Sequence, residues 1–514
     1  MTAAIRMLET AVSAGIDLCL ANPGTTEMGW VSALDQTRGL RAVLCLFEGV
    51  CTGAADGYGR MKAAPALTLL HLGPGFANGI ANLHNARRAR TPLVNLIGDH
   101  ASTHQHADAP LASDIESLAR PVSGWLRTSE AAENTSRDLA EAIAEAGQVP
   151  GQVSSLIVPA DFATTHVEPS TVAQPPQQPQ SPDTQRIDSI AAFLRSSPGR
   201  VALLLGGNAL SKAGLEAADL IAAQTGARLI AETFPARWER GQHLPAVERL
   251  PYLPEQATAA LESERCLLLA GARSPVAFFA YPGLPSDIAP SVPRKTIARP
   301  EEDAAQGLSD LADALDAISG RPLPEPPSTP NLDTGTLDPG QVGHILAHRL
   351  PEGAIVIDEA ATSGLPFSLT SVGAADHTVL TLTGGAIGQG PPCATGAALA
   401  CPDRTVIDFQ ADGSAMYTFQ ALWTQAREGL RVITLLCANR AYRILQIELA
   451  RAGIAEPGPQ ARALTSLEQP VIDWVQLGQS LGVPGERVET PQSFDRALQR
   501  ALSAEGPALI EIVL

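Results

Sequence analysis

Gln410-Ala411-Asp412-Gly413-Ser414 follows the segment 405–409 (TVIDF), and 27 residues after Asp412 comes Asn439, in Leu436-Cys437-Ala438-Asn439-Arg440. That segment reads as a buried parallel strand, ADGS as a strand-to-helix turn, 415–428 as a helix and 431–437 as the next strand. Asp412 and Asn439 then lie at the carboxyl ends of two strands, where open α/β sheets bind ligands. A hard cation such as Mg2+ takes a carboxylate oxygen, an amide oxygen, a backbone carbonyl and phosphate oxygens in octahedral geometry. Gly413 lets the backbone approach a phosphate, and the amides opening the next helix supply anion-binding N–H groups. The same residues also read as a plain strand–turn–helix with a polar turn, and the pair alone leaves both readings open.

A distant element breaks the tie. Residues 41–47 (RAVLCLF) read as a strand, and Glu48 opens a small-residue helix, EGVCTGAADGY. A helix-opening acid is favoured by the macrodipole and by itself needs no other role. Yet ANPGTTE (21–27), FEGVCTGAADGYGR (47–60), HLGPGFAN (71–78), GGAIGQG (384–390), ADGS and ANRAYRIL (438–445) occur in order. Together these blocks resemble the thiamine-diphosphate-dependent 2-oxo-acid enzymes, the group that contains acetolactate synthase, benzoylformate decarboxylase and pyruvate decarboxylase. The resemblance covers essentially the whole chain. It implies an α/β fold of three doubly wound parallel-sheet domains: pyrimidine-binding, central and diphosphate-binding. It implies a lyase or transferase, acetolactate synthase-like or benzoylformate decarboxylase-like. Such an enzyme decarboxylates a 2-oxo acid through a C2 ylid and then protonates or ligates the resulting enamine.

By that resemblance Asp412, Asn439 and the carbonyl of Ala441 are the implied Mg2+ ligands, with Gly413 and Ser414 beside the diphosphate. Glu48 would hydrogen-bond the pyrimidine nitrogen, Ile387 would wedge beneath the bent cofactor, and the carbonyl of Gly385 or Ala386 would accept from its 4′-amino group. Ile387 also reads as ordinary core packing. His71 matches an active-site histidine of benzoylformate decarboxylase and Thr25 a substrate-contacting serine; both favour a proton relay. Ile444 and Leu445 fall where the family shapes the acyl pocket, which implies a small acyl group such as that of pyruvate. His100 and His104, in the loop GDHASTHQH, are expected to line the substrate pocket rather than a metal site, since no ligand set is completed. His84, in a helix with Arg87 and Arg88, reads as a solvated or interface face.

The chain departs from the family pattern at three places. Ala411 stands where Gly is usual, which is damaging only if its φ is positive. Ala438 replaces the first of two Asn. The second catalytic histidine of benzoylformate decarboxylase should fall near Phe278, and no His occurs between His243 and His344. These departures motivate an alternative: a degenerate, non-catalytic cofactor-binding or scaffold subunit. Retention of Glu48, Asp412 and Asn439 argues against it. An NAD-linked dehydrogenase fits only the α/β pattern and lacks the Gly-rich fingerprint.

Composition bounds the rest. The 514 residues suit about three domains. A Pro- and Gln-rich spacer at 167–185 and a Pro-rich one at 320–340 separate an N-terminal pyrimidine-binding domain (1–166), a central structural domain (186–319) and a C-terminal diphosphate- and Mg-binding domain (341–514). In the central domain Gly206-Gly207 follows a strand without a dinucleotide fingerprint, so FAD is not expected. The formal charge of −18 and pI near 5.0 argue against nucleic acid and anionic membranes as partners. No apolar run reaches the ~20 residues of a spanning helix, and the start lacks the pattern of a secretory peptide. Seven cysteines without metal-like spacing read as reduced core residues of a cytoplasmic protein. The family carries its cofactor across a subunit interface, so the resemblance implies a homodimer at minimum and a homotetramer as the expected assembly.

Overall fold

The computed structural model describes residues 1–168, 178–196, 199–333 and 335–514. Three mainly parallel sheets run along the chain. The first contains β1 (Leu18–Asn22), β2 (Arg41–Leu44), β3 (Ala66–Leu70), β4 (Leu93–Asp99), β5 (Trp125–Thr128) and β6 (Val153–Pro159), in the order β2-β1-β3-β4-β6-β5. The second contains β7 (Val201–Leu205), β8 (Arg228–Ala231), β10 (Glu248–Arg249), β11 (Cys266–Ala270) and β12 (Arg294–Ala298), in the order β10-β8-β7-β11-β12. The third contains β13 (Ala354–Glu359), β14 (His377–Thr381), β15 (Val406–Ala411), β16 (Val432–Ala438), β17 (Gly485–Val488) and β18 (Ala508–Val513). Its order is β17-β18-β16-β15-β13-β14-β9, and the last strand, β9 (Trp238–Arg240), is antiparallel and comes from the middle of the chain.

The central strands are near-continuous apolar runs because helices cover both faces of each sheet. β3, β7, β11 and β16 are buried along their whole length. Six of the seven cysteines are buried and all seven are free. Among the described residues no helix is long and apolar enough to cross a membrane.

The outer sheets are joined by the helix Glu48–Lys62, which packs against the helix Gly390–Ala400. Arg60 carries the polar part of that joint. Its Nε and Nη2 lie 2.9 and 2.5 Å from the two Asp56 oxygens, and Nη1 donates to the Thr381 carbonyl at 2.8 Å. Both side chains of this ion pair are essentially excluded from solvent.

Local structure differs from the sequence reading in two places. The expected helix 415–428 is broken into Asp412–Ala415 and Ala421–Glu428. Between them the N–H groups of Tyr417 and Thr418 bond back three residues, and the Thr418 hydroxyl reaches the Gly388 carbonyl at 2.7 Å. The described residues of the 320–340 spacer show no regular structure before the helix Pro339–Arg349, yet the spacer is pinned: Arg321 pairs with Asp219 at 2.6 Å. Residues 169–177 of the first spacer lie outside the described residues.

Candidate active site

The first half of the site forms at one edge of the first sheet. β1 lies between β2 and β3, with Ala21 opposite both Leu44 and Leu69, and Asn22 opposite Leu70. The chain therefore leaves three neighbouring strands side by side, towards Thr25, Glu48 and His71. Glu48 opens its helix and is 8% exposed. Asn78 donates to Glu48 Oε2 at 3.0 Å, and Glu48 Oε1 lies 2.9 Å from where a Cβ on Gly75 would stand.

His71 caps the helix Leu72–Ala89. Its Nδ1 lies 2.7 Å from Glu27 Oε2 and 3.2 Å from the Thr26 hydroxyl. Glu27 is fully buried and also accepts from the Gly24 N–H at 2.8 Å and from Thr26 at 2.7 Å. A Cβ on Gly24 would meet the His71 ring at 2.2 Å, so only glycine permits this stacking. A carboxylate only accepts, so Nδ1 donates to Glu27 and Nε2 takes no part in that contact. The sequence reading missed Glu27, although it closes the ANPGTTE block. Thr25, by contrast, is exposed, and its hydroxyl makes no hydrogen bond among the described residues.

The second half forms at the ends of β15 and β16. Ala411 pairs with Cys437, so Asp412 and Asn439 emerge from adjacent strands. Ala411 has φ −106°, an extended conformation that a methyl group tolerates. Asp412 is 3% exposed; Oδ1 accepts from the Gly413 N–H at 2.8 Å and Oδ2 from the Arg440 N–H at 2.6 Å. Burial pushes its carboxyl up from the ordinary carboxylate range, against the pull of those two N–H bonds. Asn439 Oδ1 accepts from the Ala441 N–H at 3.0 Å, and the Ala441 carbonyl has no partner among the described residues. The turn thus offers a carboxylate with outward lone pairs, an amide oxygen and an open carbonyl, a hard-oxygen set that fits Mg2+ with phosphate oxygens completing it. Ser414 bonds back to Gln410 and the Ala411 carbonyl, and the Tyr442 ring covers Gly413, 2.5 Å from where a Cβ would stand.

The loop 384–390 lies between the halves. Asn85 Nδ2 donates to the Ala386 carbonyl at 2.8 Å, and His84 Nε2 lies 3.1 Å from the Gly384 carbonyl. His84 is therefore a contact between the outer domains. With Ala386 already engaged, Gly385 (φ +74°) retains the free carbonyl, and Ile387 is half-buried beside it.

The remaining expected residues lie apart. His100 lines a cavity of about 290 Å3 with Asp99, Gln105, Ser113, Asp114 and Glu116. Its Nε2 has no partner among the described residues, and exposed His104 stands edge-on, 5.5 Å away between ring centroids. Ile444 is half-buried and Leu445 is 47% exposed, at the start of the helix Arg443–Arg451. Phe278, near which the second histidine was expected, stands edge-on to Phe234 and tilted against Tyr252, both 5.1 Å away between ring centroids.

Fold and site define a class, and comparison with known proteins agrees. The N-terminal TPP binding domain of thiamine pyrophosphate enzymes matches residues 1–118, and the C-terminal TPP binding domain matches 369–512. The chain belongs to the thiamine-diphosphate-dependent enzymes of the acetolactate synthase and benzoylformate decarboxylase type. A Mycobacterium tuberculosis H37Rv protein named "Putative acetolactate synthase large subunit IlvX" is 47% identical over 515 residues, covering 100% of this chain and 99% of that protein. Benzoylformate decarboxylase of Pseudomonas aeruginosa is 28% identical, with 97% and 96% covered. The solved thiamine diphosphate-dependent 4-hydroxybenzoylformate decarboxylase of Rhodococcus jostii RHA1 superposes with a TM-score of 0.88 at 25% identity, covering 100% and 99%. Nothing in these relatives supports the non-catalytic alternative.

Proposed function

We propose that this chain decarboxylates a small 2-oxo acid with thiamine diphosphate and Mg2+, and that His71 delivers the proton that releases an aldehyde. The observation that carries this reading is the buried Glu27 carboxylate 2.7 Å from His71 Nδ1, which fixes the ring and leaves Nε2 to hold and pass a proton. When bound, thiamine diphosphate supplies a nucleophilic thiazolium carbon and a sink for the electrons released with CO2. Asp412, Asn439 and the Ala441 carbonyl would hold Mg2+, with Gly413 and Ser414 at the diphosphate. The Gly385 carbonyl and Glu48 would orient the pyrimidine, with Asn78 keeping the Glu48 carboxylate in place. Ile387 would support the bend of the cofactor; Thr25, Ile444 and Leu445 would border the substrate, and His100 and His104 its approach.

No hydrogen bond joins Glu48 or His71 to Asp412 or Asn439 within one chain. Exposed apolar side chains flank both halves: Met28 and Leu46 (48% and 45%) near the first, Met416 and Tyr417 (44% and 54%) near the second. This supports a homodimer, and two such dimers as a tetramer, in which each chain completes the other's site. The free, mostly buried cysteines support a reducing, cytoplasmic setting. The domain limits 1–166, 186–319 and 341–514 belong to the same proposal; the three sheets support them, with β9 crossing from the second segment to the third sheet.

A second reading, carboligation of two pyruvate molecules to acetolactate, draws support from the 47% identical relative's name. Incubating the holoprotein with pyruvate and with benzoylformate separates the two: an aldehyde supports His71 protonation, and acetolactate supports ligation.

A further inference from the structure

Beneath the loop 384–390 lies a buried acid that the proposed chemistry does not use. Glu359, at the carboxyl end of β13, is 4% exposed. Its Oε1 accepts from the Gly388 and Gln389 N–H groups at 2.7 and 3.3 Å, and its Oε2 from the Gly390 N–H at 2.5 Å. Three successive N–H groups at the opening of the helix Gly390–Ala400 thus converge on one carboxylate. The fourth donor is a side chain: Gln410 Nε2, at 2.7 Å from Oε2. Gln410 is fully buried, and its Oε1 turns the other way to accept from the Ala411 N–H at 2.7 Å and from the Ser414 hydroxyl. The hydrogen bonds therefore run without a break from the backbone next to Ile387, through Glu359 and Gln410, to the residues on either side of Asp412.

A second strut runs in parallel, from the Thr418 hydroxyl to the Gly388 carbonyl at 2.7 Å. Packing leaves the assembly no slack. A Cβ on Gly390 would stand 2.4 Å from Gln410 Nε2 and 2.8 Å from Glu359 Oε2. Asp408, fully buried, also faces Gly390, its Oδ1 2.6 Å from where that Cβ would stand. Burial, and then the neighbouring Glu359, pushes the Asp408 carboxyl well up; burial also raises Glu359, but against the pull of Gln410 and the three N–H groups that meet it.

We propose that Glu359 and Gln410 are positioning residues that lock the Ile387 loop to the Asp412 turn, so that the distance between the bend and the diphosphate end of the cofactor site is set before any ligand enters. The inference rests on the cofactor reading above. A carboxylate that only capped a helix would stabilise the fold and leave the two ends of the site independent. A lock makes them respond together.

The test uses two probes on the whole protein. Mg2+ with inorganic pyrophosphate reaches only the turn; Mg2+ with thiamine diphosphate needs the turn and the loop in register. In Glu359→Gln we expect thiamine diphosphate affinity to fall tenfold or more by calorimetry, with pyrophosphate affinity within threefold of wild type and the melting temperature little changed. Equal loss of both affinities, or loss of neither, overturns the lock. Should the variant fail to fold, hydrogen exchange on the wild type decides: Mg2+ and pyrophosphate should slow exchange at amides 388–390 at least threefold, and unchanged rates overturn the proposal. A wild-type protein that binds pyrophosphate and thiamine diphosphate, but shows neither effect, overturns the lock alone. One that takes up no thiamine diphosphate overturns the cofactor reading with it.

Discussion

Glu27 and His71, 44 positions apart, meet through a 2.7 Å contact between Oε2 and Nδ1, the carboxylate fully buried and the ring a fifth exposed. This leaves one ring nitrogen anchored and the other open. Glu27→Gln replaces an acceptor with an amide that can present the wrong group to Nδ1. Turnover should fall by about 10²-fold, the low end of what a positioned proton donor contributes. Thiamine diphosphate affinity, measured by calorimetry, should stay near wild type. Equal losses in turnover and affinity would mean that the pair merely packs the loop.

Glu48→Gln keeps the hydrogen bond to Asn78 possible and the helix start intact, so the fold and Mg2+-dependent cofactor uptake should survive. CO2 release from any 2-oxo acid should be lost. A variant with unchanged turnover removes Glu48 from the chemistry.

Asp412→Ala deletes the only carboxylate of the turn and frees the Arg440 N–H. Mg2+-dependent binding of thiamine diphosphate should drop beyond detection by titration calorimetry. Undiminished affinity would place the metal elsewhere.

Arg60 and Asp56 lie on one helix, and their buried pair holds the guanidinium that donates to the Thr381 carbonyl of the other outer domain, away from the chemistry. Asp56→Ala strands a guanidinium in a dry interface, and urea unfolding should show a loss of about 3–5 kcal/mol. Loss below about 1 kcal/mol, the scale of exposed pairs, would show that water reaches the joint.

His377 gives a pH signature. It is 2% exposed beside Arg240, and burial, followed by that charge, lowers its pKa from 6.5 to about 3. The folded chain therefore binds this proton less readily than the unfolded one. Its contribution to stability is intact above pH 6.5 and is lost as pH falls towards 3, at about 1.4 kcal/mol per unit. Urea unfolding of wild type and His377→Gln between pH 7.5 and 4 should diverge in that sense; parallel curves would contradict it.

Much of this was legible in the sequence because the informative residues sit at strand ends. Strand 266–270 reads directly as an unbroken apolar run and 66–70 as one broken only by Thr68, and Glu48, His71, Asp412 and Asn439 each follow a largely apolar strand. What was not legible depends on contacts distant in sequence. Glu27 reads as one more polar residue in a loop until β3 brings His71 to it. Glu359 and Gln410 look like the polar ends of two strands, and only the pairing of β13 with β15 sets them side by side. An acid at the carboxyl end of a buried strand was the available signal for Glu359. The same limit explains β9, whose three residues carry no mark of the sheet they join.

The central claim is tested most directly by titrating the purified protein with thiamine diphosphate and Mg2+ and then following CO2 and organic product from pyruvate and from benzoylformate. The account predicts saturable, Mg2+-dependent binding, CO2 release and an aldehyde, with the aldehyde lost in His71→Ala while cofactor affinity persists. Binding of the cofactor without CO2 from either acid, or an aldehyde yield indifferent to His71, would contradict it.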